Sequence, residues 1–177
     1  MKKRYVMFLG ALLALAGNMA MAEEHEIGEE TVKNGMTLGA VYLQAVKMEP
    51  EHGIPAEEAD IHLEADIHAA KGNRHGFAEG DWVPYLRVTY HIAKKDSDWK
   101  QDGVFMAMVA SDGPHYGENI KMDGPGKYTI TYHIEPPSVN GFMRHIDKET
   151  GVDPWWEPFD LSYEFAWIGS TGKKGGY

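Results

Sequence analysis

Residues 60–68 read Asp-Ile-His-Leu-Glu-Ala-Asp-Ile-His, an alternation without a break. In an extended strand, Ile61, Leu63, Ala65 and Ile67 fall on one side and Asp60, His62, Glu64, Asp66 and His68 on the other. The apolar side belongs on a core. The opposite side carries two imidazoles and three carboxylates, and each of those groups can ligate a metal. Residues i and i+2 on one face have Cα atoms about 6.5–7 Å apart, so two long side chains there can converge on one ion.

A second group lies at 106–117, Met-Ala-Met-Val-Ala-Ser-Asp-Gly-Pro-His-Tyr-Gly. Met106 and Met108 share a strand face. Asp112-Gly113-Pro114 reads as a turn that ends the strand, with His115 just beyond it. Thioether plus imidazole suits copper, above all Cu(I); carboxylate plus imidazole suits harder ions such as Fe(II), Mn(II) or Zn(II). Taken alone, Met108 also reads as core filling and His115 as a turn residue bonded to backbone. A third segment, Gly141–Asp147, offers His145. His25, His52, His75, His91 and His133 lack such neighbours and read as surface residues.

The elements that must position these groups read as strands. Alternation recurs at Leu86, Val88, Tyr90 and Ile92; at Tyr128, Ile130, Tyr132 and Ile134; and at Phe159, Leu161, Tyr163, Phe165 and Trp167. An apolar stretch at Ala40–Leu43 and a run from Gly103 to Ala110 add two more. Gly72-Asn73, Gly113-Pro114, Gly124-Pro125-Gly126 and Pro136-Pro137 punctuate them, and no window carries a twelve-residue amphipathic helix. About seven short strands around an aromatic core predict an all-β fold, an immunoglobulin-like antiparallel β-sandwich. The Gly/Lys-rich tail 169–177 reads as frayed.

Lys2, Lys3 and Arg4 precede a short apolar run, Val6–Ala16, and Ala20-Met21-Ala22 has the form of a cleavage site. This predicts a signal peptide over 1–22 and one exported domain over 23–177. No other apolar run approaches the ~20 residues of a membrane span. There is no cysteine. That excludes disulfides, thiolate metal sites and the blue-copper type of centre, and leaves His, Met, Asp and Glu as ligands. The formal net charge of −10 repels nucleic acid and attracts cations; serving solubility alone is the alternative reading of that charge. No Ser-His-Asp spacing, phosphate loop, zinc-protease motif or His-x-His is present.

The segments 41–44, 48–50, 59–68, 82–86, 106–117, 144–147 and 149–152, in that order, resemble the FetP-like periplasmic iron/copper-binding proteins that accompany high-affinity iron permeases. The resemblance runs from about Ile27 to Trp167. It implies a homodimer, copper ligated by His62, Met108, His115 and His145, and Glu64 and Asp112 serving iron or a second copper position nearby. It also implies a periplasmic protein that supports iron uptake through an inner-membrane permease. Some relatives carry a lipid on a cysteine, which this chain lacks. A copper chaperone or resistance protein and a metal-free adhesion or assembly module are the alternatives. Trp155-Trp156 is either a core plug or an interface anchor.

Overall fold

Wherever apolar and polar residues alternate at period two, the chain pairs into sheet. The computed structural model describes residues 24–170. The predicted signal peptide and nearly all of the predicted frayed tail lie outside them. In chain order the strands are β1 (His25–Glu26), β2 (Thr31–Lys33), β3 (Met36–Leu43), β4 (Ile61–Ala69), β5 (Arg87–Lys94), β6 (Lys100–Val104), β7 (Met106–Ala110), β8 (Gly113–Ile120), β9 (Gly126–Glu135) and β10 (Phe159–Trp167). The one helical element among the described residues is a 3₁₀ turn at Pro137–Asn140.

Two antiparallel sheets result, the β-sandwich expected. One has the order β1-β3-β4-β8-β7, with β2 also paired to β3; the other has the order β10-β9-β5-β6. Between them lie Ile61, Leu63, Ala65 and Ile67 of β4, Val88, Tyr90 and Ile92 of β5, and Tyr128, Ile130, Tyr132 and Ile134 of β9, all buried. Buried phenols find partners: Tyr116 donates to the Val83 carbonyl at 2.7 Å and accepts from the Leu86 amide at 3.0 Å. Tyr132 reaches across the sandwich to the Glu64 carbonyl at 2.9 Å, pinning β4 from behind.

Two expectations need correction. Gly103–Ala110 is not one strand. The chain changes sheets at Phe105, whose ring lies in the core 4.9 Å from Tyr90 and 5.2 Å from Tyr132. Burying that ring turns β6 and β7 onto different sheets. Nor is His115 a turn residue. Gly113 and Pro114 begin β8, so His115 sits inside a strand, directly across the ladder from Met108.

Candidate metal centre

The β4–β8 register decides what meets on the outer face of the larger sheet. His62 pairs with Asn119, Glu64 with Gly117, and His115, two residues before Gly117, projects to the same side. This face is not open to water at that end. His62 is 1% exposed, and Glu64 and His115 are 6% exposed. Segment 44–60 docks beside β8 through the Val46 amide and the Val46 and Ile54 carbonyls, and its Ala45, Ala56 and Ala59 form a small buried cluster of their own.

Glu64 Oε1 lies 3.5 Å from His62 Nε2 and 3.3 Å from His115 Nε2. The two rings meet edge-on with centroids 5.8 Å apart. Both Nε2 atoms are buried without a hydrogen-bond partner. Native proteins rarely leave such atoms orphaned, so each asks for a cation or a proton. Among the described residues, His62, Glu64 and His115 are the group whose ligand atoms all fall within 4.8 Å of one another. Space has been left for them: a Cβ on Gly117 would stand 2.7 Å from His62 Nε2. Two neutral imidazoles and a carboxylate with an open position fit a transition-metal ion.

Burial drives the His62 imidazole down to about 4, against the opposing pull of its bond to Asn119, and His115 is lowered for the same reason. Burial, reinforced by Asp66, Glu24 and Asp112, raises the Glu64 carboxyl to about 8. The close His–Glu contacts are therefore not ion pairs at neutral pH: the imidazoles are neutral and the carboxyl keeps its proton. A cation reverses this by displacing that proton. The metal-free protein thus carries an inverted pH dependence. A carboxyl whose folded pKa lies above its unfolded value binds more protons when folded, so its contribution to stability fades as pH rises from about 4.5 through about 8. Between pH 6.5 and 8.5 the metal-free melting temperature is expected to fall, and Glu64→Gln, uncharged at every pH, is expected to flatten that slope. A calorimetric pH series checks this; an equal slope in the variant would remove Glu64 as the cause.

A cleft of about 180 Å³ opens beside the trio, lined by Glu24, Glu64, Asp66, His68, Asp112 and His115 with Gly113 and Pro114. Asp66 is raised to about 6 by burial and by Asp112. Glu24 is raised by burial and then by Asp112 and Asp66. Of the residues singled out in sequence, His62, Glu64 and His115 come together, Asp112 joins them at the cleft wall, and Met108 is half-buried opposite His115. His145 does not join. Its side chain is 75% exposed and its Nδ1 bonds Thr150 Oγ1 at 2.7 Å. Sequence reasoning missed Gly117 and Asn119, which carry no ligand chemistry, and Glu24, which reaches the cleft from beside β1. Asp66 and His68 were visible in the alternation of 60–68. Three histidines read as surface residues are in fact half-buried: His25 stacks on Tyr42, His75 lies against Trp155 and Trp156, and His133 on β9 contacts Asp160.

A family model described as "Fe2+ transport protein" matches residues 21–169. A "UPF0423 protein" of Brucella abortus is 56% identical over 169 residues, covering 93% of this chain and 92% of that one. FetP of uropathogenic E. coli, a crystal structure of protein expressed in the periplasm, is 58% identical with a TM-score of 0.81, covering 83% of this chain and 97% of that one. Copper-reconstituted P19 of Campylobacter jejuni is 48% identical with a TM-score of 0.81, over 85% of this chain and 99% of that one.

Proposed function

The chain belongs to the Fe2+ transport protein family, and from that premise we propose that it is a periplasmic copper- and iron-binding protein supporting high-affinity iron uptake through an inner-membrane permease. The observation that carries this reading is the convergence of two orphaned Nε2 atoms and one carboxylate in a buried site. His62 and His115 hold the copper, and the Met108 thioether across the ladder adds the soft donor that suits its reduced state. Copper, when bound, supplies a one-electron redox couple. The cleft beside it is built for a harder cargo: Glu64, Asp112, Asp66 and Glu24 offer the oxygen ligands that iron favours. Burial keeps the Glu64 carboxyl protonated near neutral pH, so capture of an ion there releases a proton.

His145 completes the copper ligands from a second copy of the chain. On its own chain it faces outward, and Met143 and Ile146 beside it are 89% and 79% exposed. Exposed apolar residues around a metal-ligating imidazole are what a subunit interface requires. Trp155 and Trp156 back this segment: Trp155 stacks on His75 and lies at a tilt to Phe77 and Phe142, and Trp156 meets His75 and Trp155 edge-on. Light scattering at micromolar concentration should give a dimer; a monomer with and without copper would remove His145 from the ligand set.

Deleting the gene should slow growth only under iron restriction. The wild-type chain should restore that growth, and His62→Ala or Met108→Leu should not. Copper sensitivity with normal growth under iron chelation would replace iron uptake with the copper-chaperone reading. The transport step is assigned to the inner-membrane permease; no helix among the described residues is long and apolar enough to cross a membrane.

A further inference from the structure

Asn119 is 1% exposed on β8, directly opposite His62. Its Nδ2 donates to the Val46 carbonyl at 2.8 Å and to the Ile54 carbonyl at 3.1 Å. Its Oδ1 accepts from the Val46 amide at 3.1 Å and lies 3.0 Å from His62 Nδ1. These four contacts use both donors and both lone pairs of the carboxamide. They also fix which way it points. Rotated by half a turn, Oδ1 would face two carbonyl oxygens and Nδ2 would face the Val46 N–H, leaving several buried groups unsatisfied.

With the amide so oriented, the atom facing His62 is an acceptor. His62 Nδ1 must then carry the ring proton, and Nε2 is left with its lone pair. That lone pair points at Glu64 Oε1 and into the space that Gly117 leaves open. We propose that Asn119 is the positioning residue of the metal centre: it holds the His62 ring in the Nδ1–H tautomer, so that Nε2 is offered to the ion before any ion arrives. This role rests on the metal-site reading above. The carbonyls that set the amide both belong to segment 44–60, so that segment acts on the ligand without touching the ion.

The test combines tautomer and affinity. Long-range proton–nitrogen NMR on the metal-free protein reports which nitrogen of His62 is protonated, and a chelator competition reports copper affinity. The wild type should show Nδ1–H. Asn119→Leu, similar in size and unable to accept, should release the ring to the other tautomer and weaken copper about 10–100-fold. Asn119→Asp keeps the acceptor while losing the donors to 46 and 54; it should keep the Nδ1–H tautomer and bind copper within a few-fold of wild type. Three results overturn the role: Nε2–H in the wild type, unchanged affinity in Asn119→Leu, or equal losses in both variants with the tautomer retained. The wild-type tautomer decides the matter even where Asn119→Leu fails to fold. A wild type that shows Nδ1–H yet binds no copper would sink the metal reading itself, and this role with it.

Discussion

His62→Ala and His115→Ala are each expected to abolish stoichiometric copper binding, with affinity down on the order of 100-fold or more. Each removes one of the two imidazoles whose buried Nε2 atoms lack a hydrogen-bond partner. The fold should persist. After His62→Ala, Asn119 keeps its bonds to Val46 and Ile54, so no buried amide is orphaned. After His115→Ala, the apolar face of β8 still packs Tyr116 and Ile120 into the core. Competition titration with unchanged circular dichroism checks this, and wild-type affinity in both variants would mean that the ion sits elsewhere.

Gly117→Ala should be almost as damaging, although Gly117 has no side chain to ligate anything. The added methyl would stand 2.7 Å from His62 Nε2 and 3.1 Å from the Leu63 carbonyl oxygen. The Leu63 backbone is held in the β4 ladder, so the imidazole has to give way, and with it the lone pair aimed at the site. Copper affinity should fall by at least tenfold, and overpacking should cost about 1–3 kcal/mol of stability. Stability in urea separates the causes. In a His62→Ala background the methyl has no ring to strike, so most of its cost should vanish, a non-additivity of about 1 kcal/mol or more. Strict additivity, or normal copper binding by Gly117→Ala alone, would show that the space beside Gly117 is not needed.

Much of this was legible in the residues. Alternation in 60–68 placed Leu63 and Ile67 inward and His62 and Glu64 outward, as the structure has them. The alternating runs of β5, β9 and β10 were equally plain, because a strand with one face on a core repeats every second residue. What stayed hidden has physical reasons. Gly113, Pro114 and Gly117 gave β8 the composition of a loop, although the two glycines and the proline serve its start and the clearance beside His62. Period two says which side a residue faces, not whether another segment will cover that side. His62 and Glu64 read as hydrophilic-face residues and are nearly dry, since 44–60 folds against that end of the sheet. Phe105 read as one more residue of a strand, because nothing local marks where a chain changes sheets. Asn119 drew no notice in the sequence, and the part proposed for it rests on the four contacts around its amide.

The pairing of β4 with β8 carries one more consequence. His62 and Asn119 stand 57 residues apart in the chain, and closing a flexible loop of that length costs roughly 3–4 kcal/mol of entropy. Before that closure the chain offers an ion only isolated side chains. After it, an ion held by His62 and His115 as proposed would tie the two strands together. Occupancy at a thousand times the dissociation constant would favour the folded state by about 4 kcal/mol, enough to offset the closure. The chain has no cysteine, so the ion would serve as the cross-link that a disulfide provides in many small proteins. Such a cross-link can be withdrawn. On the proposed reading, a chain stripped of metal would lose its staple along with its bound ion, and scarcity of the metal would be felt as shorter survival among proteases.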